Sequence, residues 1–386
     1  MKEFTMRTAR PLALFASLSS LLLILSFSSF ASAEEAYVHV LHASPDAPPL
    51  VSVLSDGKAL TEARIGDTGG YLGLSAGTRT LSVIPKGSSK ALVTAKLNAV
   101  AGHEYLLAVI GSSKRNTLKA LLIDETRTFQ KAKVSDGLYG KAILLNAFEG
   151  AGAVDVYFGK DLLRAKLPYG AYFAQRQNSV DMSGDAVYHF RPMGRPEQEI
   201  AGSLFPGAPN VTAVFALYGR SDPKQPGSGA TFNTTSRLNT LEFLSRLGNN
   251  APESLRFTAL VKAVKAAGLK ESLGKASLFL LAPNDSAFAG LPAGKLDGLL
   301  ANQAQLSMLL KYHLLQRDPN FETAFGPGSD EPTQAGKTVR FVFKPDPHTP
   351  GFPAPYFGSA PVAYAPIQVA NGVIWPLGGV LDLTAK

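Results

Sequence analysis

Between residues 36 and 124 the chain alternates short apolar and β-branched runs with turn residues. Residues 37–41, 50–54, 79–84 and 105–110 read as strands, and Ser44-Pro45-Asp46, Asp56-Gly57, Ala76-Gly77, Pro85-Lys86-Gly87 and Ala101-Gly102-His103 stand between them. Gly and Pro supply the backbone angles that turns need and that strands do not tolerate. The spacing predicts an antiparallel β-sandwich over 34–128. The pattern then recurs at an offset of roughly 105 residues. Residues 141–147 repeat the entry strand and 153–158 the second. Residues 167–172 parallel 65–71, and 214–219 parallel 106–111. A second, diverged sandwich is expected over 136–220, joined to the first like beads on a string.

Residues 219–239 are rich in Pro, Gly, Ser, Thr and Asn and poor in apolar side chains, which predicts a linker over 221–237. Past it the hydrophobic period lengthens to that of a helix. Asn239 with Glu242 three residues later has the form of a capping box, with Leu241, Leu244 and Leu247 following. Phe257, Leu260, Val261 and Val264 share one face of a second helix that stops at Gly268, and a third is expected from 294 to 315. At the other end of the chain, Lys2, Arg7 and Arg10 precede an apolar run over 12–30 and then Ala31-Ser32-Ala33. That order predicts a signal peptide over 1–33, cleaved near Ala33, and hence a secreted or extracytoplasmic protein.

Two resemblances extend this reading. Val38-His39-Val40-Leu41-His42-Ala43-Ser44-Pro45-Asp46-Ala47-Pro48, with Gly70-Tyr71-Leu72 and Ala76-Gly77-Thr78 later, resembles a bacterial extracytoplasmic family known as domain of unknown function 4397. The second copy departs from it, with Asn146 in place of His42 and Phe148-Glu149-Gly150 in place of the Ser-Pro-Asp turn. That family implies a sandwich and an exported setting but no chemistry. Residues 260–269 and 278–288, then 309–315, then 370–374 through 380–383, resemble in order the first box, the Tyr-His segment and the closing box of the fasciclin domain. This resemblance implies a wedge of strands flanked by helices over 238–386, and adhesion in matrices, walls or envelopes. The expected fold is therefore multidomain: two all-β, immunoglobulin-like antiparallel sandwiches and a C-terminal α+β fasciclin-type β-wedge with helices.

Composition mainly excludes. The absence of cysteine removes disulfides, Cys-ligated metals and a thiol nucleophile, and six histidines are scattered. The net charge of +8 suits anionic polysaccharide or lipid headgroups at a membrane surface, without the patterning of a nucleic-acid reader. Gly73-Leu74-Ser75-Ala76-Gly77 fits the nucleophile-elbow pattern of serine hydrolases, but a β-branched alternating run follows it where a helix is required. His39 and His42, three apart, fall on opposite faces of a strand and make a poor metal pair; a structural role for His42 near the Ser44-Pro45-Asp46 turn is expected. Asn210, Asn233 and Asn284 begin N-x-S/T tripeptides.

No catalytic, cofactor-binding or metal-ligating residue is expected. A protein or anionic polysaccharide of the envelope or matrix is the expected partner, and the contact residues proposed from sequence are Tyr312, His313, Phe352, Tyr356, Phe357, Tyr364 and Trp375. The first two form the Tyr-His segment, where His313 also reads as a satisfied core histidine. The next four lie in a proline-rich stretch read as a loop, and Trp375 stands where the fasciclin closing box usually has histidine. The alternative function is a carrier of a small apolar pigment or lipid in a groove lined by that loop and Trp375. A hydrolase built on Ser75 is a distant third.

Overall fold

The computed structural model describes residues 35–130, 139–178, 187–204, 209–219, 229–247, 251, 253–275, 277–317, 325–345 and 353–383. The signal-peptide expectation and Phe352 lie outside them.

The first repeat comprises strands β1 (Glu35–Ala43), β2 (Leu50–Ser55), β3 (Lys58–Arg64), β4 (Leu72–Ser75), β5 (Gly77–Pro85), β6 (Val93–Ala99), β7 (Glu104–Ile110) and β8 (Lys119–Asp124), then helix α1 (Glu125–Gln130). The strands form two sheets, ordered β4-β1-β7-β8 and β3-β2-β5-β6. The second repeat runs through β9 (Tyr139–Phe148), β10 (Val154–Phe158), β11 (Asp161–Leu167), β12 (Tyr172–Asn178), β13 (Val187–Pro192), β14 (Ala201–Leu204), β15 (Thr212–Gly219) and β16 (Gly229–Thr235). Its orders, β12-β9-β15-β16 and β11-β10-β13-β14, reproduce those of the first repeat strand for strand.

Even the substituted position keeps its task. The Ser44 N–H donates to Nδ1 of His42, and the Phe148 N–H donates to Oδ1 of Asn146, each two residues on; Gly66 N–H and Gly170 N–H close on the two backbone carbonyls. The other ring nitrogen of His42 donates to the Pro48 carbonyl at 2.9 Å. This ties the turn as expected, and burial holds the imidazole below its usual range.

Two expectations need correction. The sheets are not wholly antiparallel: β1 runs parallel to β7, and β9 to β15. Parallel neighbours need a long crossover. Here the crossover runs through the opposite sheet in two hairpins, with β4, or β12 in the second repeat, added to the edge of the first sheet between them. Nor are the repeats separate beads, because residues Glu34–Lys386 form one compact unit. Val38, Val40, Leu107 and Val109 face the first repeat's own core, whereas Leu41, Ala43, Leu106, Ala108 and Ile110 face away from it. That second set packs against Ile143, Leu145, Ala147, Val214 and Ala216 of the second repeat. Ala142, Leu144, Ala213 and Phe215 then face the second repeat's own core. Four sheets are stacked with three apolar layers between them, and the middle layer is the joint.

A buried polar cluster lies at the edge of that joint. His39 Nε2 meets Glu125 Oε1 at 2.6 Å, the Tyr71 hydroxyl donates to Oε2, and Thr212 of β15 donates to the same oxygen at 3.5 Å. The Tyr71 and Thr212 oxygens are 3.2 Å apart. Burial would raise the Glu125 acid, but the His39 ring, Lys141 and Tyr71 together outweigh it and hold the carboxyl below its usual range. Burial, then the Glu125 and Glu104 charges, push the Tyr71 phenol well up.

The predicted linker is partly a strand. Residues 220–228 lie outside the described set, but β16 pairs along its length with β15. Its end meets the C-terminal module through a Thr235–Gln368 bridge, and the Ser236 N–H donates to the Gln368 carbonyl at 2.7 Å. That module contains α2 (Thr240–Arg246), a 3-10 turn at Glu253–Leu255, α3 (Thr258–Ala266), α4 (Lys270–Lys275), β17 (Leu278–Pro283), α5 (Asp285–Ala289), α6 (Lys295–Ala301) and α7 (Gln303–Tyr312). It continues with β18 (Leu314–Leu315), β19 (Asp330–Pro332), β20 (Thr338–Pro345), β21 (Pro353–Phe357), β22 (Ala360–Pro361), β23 (Ile367–Val369) and β24 (Gly372–Leu377).

Strands β23-β24-β17-β18 extend the β12-β9-β15-β16 sheet to eight strands. Leu278, Leu280 and Ile374 face a helical core with Phe243, Phe257 and Leu260, while Phe279, Leu281, Val373 and Trp375 face the sheet β19-β20-β21-β22. Gly372, with φ +150°, lets two backbones meet, since a Cβ there would lie 2.0 Å from the Leu278 carbonyl oxygen.

The capping box forms as predicted, with Asn239 Oδ1 accepting from the Glu242 N–H and Glu242 Oε2 from the Asn239 N–H. Asn239→Ala is expected to lower stability by about 1 kcal/mol in urea denaturation. The expected third helix is two, because Asn302 leaves helical angles (φ −119°, ψ 90°) and caps α7 through the Gln305 N–H.

Candidate functional site

The C-terminal module holds every contact residue proposed from sequence, and the structure puts most of them inside. Tyr312 ends α7 with its ring in the aromatic core and its hydroxyl donating to the Thr338 carbonyl at 3.1 Å. His313, 1% exposed, follows it. One ring nitrogen, Nδ1, donates to the Leu309 carbonyl at 2.9 Å, and the other, Nε2, accepts from the Leu381 N–H at 3.0 Å. This pair of bonds needs the neutral ring, and burial, partly opposed by the Leu309 bond, lowers its pKa to about 4. His313 therefore staples the end of α7 to the closing segment.

Trp375 and Phe357 are buried together with Phe279 and Phe341, and partly buried Phe325 packs against them, with ring centroids 4.9–6.5 Å apart. Tyr364 is buried in the helical core, and its phenol is raised by burial. Tyr312, His313, Phe357, Tyr364 and Trp375, expected from sequence to meet a partner, are thus all buried in the packing of the module. Their work is packing.

The proline-rich stretch is also not simply a loop. Lys344 and Pro345 end β20, and Pro353 and Pro355 lie in β21 beyond the short β22, where missing N–H groups interrupt no ladder. Alternation turns Phe341 inward and places Val342 and Lys344 outward, opposite Tyr356 and Ala354. Tyr356 is half-buried, with Lys344 Nζ 4.5 Å from its ring centroid. Arg340, on the same outer face, pairs with Asp330, and Phe343 near the strand end is 47% exposed. Of the proposed contact residues that are described, Tyr356 alone keeps an accessible ring. Arg340 and Lys344 beside it were not singled out from sequence, although the alternation in Thr338-Val339-Arg340-Phe341-Val342-Phe343-Lys344 carried the signal.

An apolar groove of about 570 Å³ runs between α6, α7 and the closing segment, lined by Leu291, Leu299, Met308, Leu309, Val380 and Leu383 among others. Among the described residues, neither Trp375 nor the proline-rich stretch lines it, contrary to expectation.

The remaining sequence candidates are structural. Ser75 ends β4 at a corner that leads into β5, with Arg79 Nε donating to its backbone carbonyl, so the strand-to-helix elbow does not form. His39 and His42 point to different partners, and no cluster of three or more His, Asp or Glu suited to a metal occurs among the described residues. Asn284 is buried as the cap of α5, and Asn233 donates to the Gly66 carbonyl. Asn210 is exposed. No helix among the described residues is long and apolar enough to cross a membrane.

Comparison with known proteins locates two families in the chain. A family model described as Fasciclin domain matches residues 255–382, and one described as Domain of unknown function (DUF4397) matches residues 36–135. Protein sll1483 of Synechocystis is 35% identical over 129 residues, 32% of this chain and 66% of that protein. The transforming growth factor-beta-induced protein ig-h3 of Sus scrofa is 42% identical over 60 residues, which are 15% of this chain but 9% of that one. Thus the matched segment spans a small part of ig-h3 and just under two thirds of the Synechocystis protein. A solved FAS1 domain pair from the insect cell adhesion molecule Fasciclin I aligns with TM-score 0.27 and 12% identity, over 40% of this chain and 56% of that one.

Proposed function

Because the chain carries a fasciclin domain over residues 255–382 and a domain of unknown function over residues 36–135, we propose that it is an exported, non-enzymatic adhesion protein of the cell envelope or matrix. The two β-repeats, each a pair of packed sheets and in this reading immunoglobulin-like, form a rigid base. The fasciclin wedge is the contact end. Within the wedge the contact surface is the outer face of the β19-β20-β21-β22 sheet, where cationic and aromatic side chains are exposed together. The observation that carries this placement is Lys344 stacked on Tyr356 beside Arg340, while the other described candidates are buried. Stiff, proline-flanked strands lose little entropy on binding, and a half-buried tyrosine offers both an apolar ring and a hydrogen-bonding tip. Such a face suits an envelope protein or an anionic polysaccharide.

The test is adhesion of the mature chain to plates coated with envelope from its source. Tyr356→Ala and Lys344→Ala should each weaken retention on the order of tenfold, as removal of a hot-spot side chain does, with unchanged Trp375 fluorescence showing an intact wedge. Full retention by both variants would refute the placement.

The apolar groove favours one second reading, carriage of a small apolar ligand, since its lining is chiefly aliphatic. Organic extraction of natively purified protein should then release a pigment or lipid in stoichiometric amount, and Met308→Asp should reduce it. An extract without such a compound removes this reading.

A further inference from the structure

A second cavity, of about 200 Å³, opens where both β-repeats and the C-terminal module meet. It is lined by Tyr71 and Glu104 of the first repeat, Lys141, Asn210 and Thr212 of the second, and Ser236, Arg237, Leu238 and Arg246 beyond them. Its charges do not balance. Glu104 engages two cations, one with each oxygen: Lys141 Nζ on Oε2, and Arg237 Nε on Oε1 at 2.9 Å. Arg246, in the last turn of α2, makes no ion pair among the described residues. Three cations thus line the cavity against one carboxylate. Glu125, behind Tyr71 and Thr212, is turned to those two residues and His39.

The cations are held in place. Arg237 lies over the Tyr37 ring at 5.6 Å and Lys141 over the Phe129 ring at 5.7 Å. Because Glu104 takes only Nε of Arg237, the two terminal nitrogens of the guanidinium remain as a planar fork. Lys141 likewise keeps two of its three N–H donors, and the Ser236 oxygen accepts from the Leu238 N–H, leaving its hydroxyl proton to donate.

We propose that this junction is a binding site for an oxyanion group, a phosphate, sulfate or carboxylate, gripped by Arg237, Arg246 and Lys141. Charge-assisted bonds from a guanidinium fork and an ammonium are the donors such a group requires. The donors come from the second repeat and from the segment beyond it, so the bound anion also locks the C-terminal module to the β-repeats. The group is either a free small anion or a substituent on an anionic envelope polysaccharide. The site is separate from the β19–β22 sheet face, so the adhesion proposal can fail without affecting it.

The test is calorimetric titration of the mature protein with inorganic phosphate and sodium sulfate at constant ionic strength in chloride, and in parallel with dextran sulfate. One-to-one saturable binding is expected with at least one of these probes. Arg246→Gln and Arg237→Gln should each weaken it tenfold or more, while Lys96→Gln, on an exposed strand position far along the first repeat, should not. Binding of the free anions identifies a small-molecule site, and binding of dextran sulfate alone identifies a polymer-borne group. Absence of saturable binding with all three probes, or undiminished affinity in both arginine variants, overturns the proposal. Circular dichroism of the variants separates loss of the site from loss of the fold.

Discussion

Glu125→Leu should cost the folded protein about 3–5 kcal/mol, the range for removing one member of a buried ion pair. Glu125 and His39 are both wholly buried, and the carboxylate also accepts from Tyr71 and Thr212. Leucine leaves the buried ring nitrogen and the phenol without their acceptor. The loss should fall on both repeats together, because the cluster sits at the joint of the stacked sheets. Amide hydrogen exchange should therefore show β7 and β15 losing protection in parallel. His39→Leu combined with Glu125→Leu should cost less than the sum of the single changes, since an apolar pair strands fewer polar atoms. A single-variant loss below about 1 kcal/mol, or additive single effects, would mean that the cluster does not hold the joint.

The stacking itself was legible and was passed over. Strands covered on both faces are continuously apolar, and strands covered on one face alternate. Residues 105–110 (YLLAVI) and 213–217 (AVFAL) are continuous, whereas 50–55 (LVSVLS) and 79–84 (RTLSVI) alternate. That contrast distinguishes the two inner sheets from the two outer ones. Read uniformly as sandwich strands, the runs gave separate beads. Strand β16 was hidden for a different reason: GATFNTT has no alternation, and its pairing is supplied by β15 along its length and by β23 at Thr235.

In the C-terminal module the capping box and the stop at Gly268 were readable because each is a local bond or a local angle, and Gly268 does take a left-handed φ of +72°. The placement of the aromatics was not. Counting prolines suggested a loop, while period-2 alternation in β20 already implied that Val339 and Phe341 faced inward. The junction cavity had no sequence signature, since Glu104, Lys141, Arg237 and Arg246 are brought together only by the packing of three segments.

The C-terminal module should also weaken in mild acid, and His313 sets the range. In the folded protein its pKa is lowered to about 4, first by burial, whereas a histidine in an unfolded chain titrates near 6.5. As pH falls from about 6.5 to about 4, the unfolded chain takes up a proton that the native site refuses, so folding stability declines across that window. At about 1.4 kcal/mol per unit, the decline reaches on the order of 3 kcal/mol. Above the window neither state carries the proton, and below it both do, so this residue adds no slope at either end. Glu125, held low instead, loses its contribution as pH falls through a value below the usual carboxyl range, beneath most of this window.

Trp375 is the only tryptophan in the chain and is packed beside Phe279 and Phe357, so its fluorescence reports on this module. The urea midpoint it reports should drop between pH 7 and pH 4.5 in the native sequence. In His313→Gln it should start lower and change less, because the His313 ring no longer distinguishes the two states. Buried His42 contributes with the same sign in both proteins and cancels in the comparison. Should the glutamine chain fail to fold, the His313 ring resonance of the native protein gives a second reading. It should stay unshifted down to about pH 5, and a midpoint near 6.5 would show that the ring is not held neutral between the Leu309 carbonyl and the Leu381 amide.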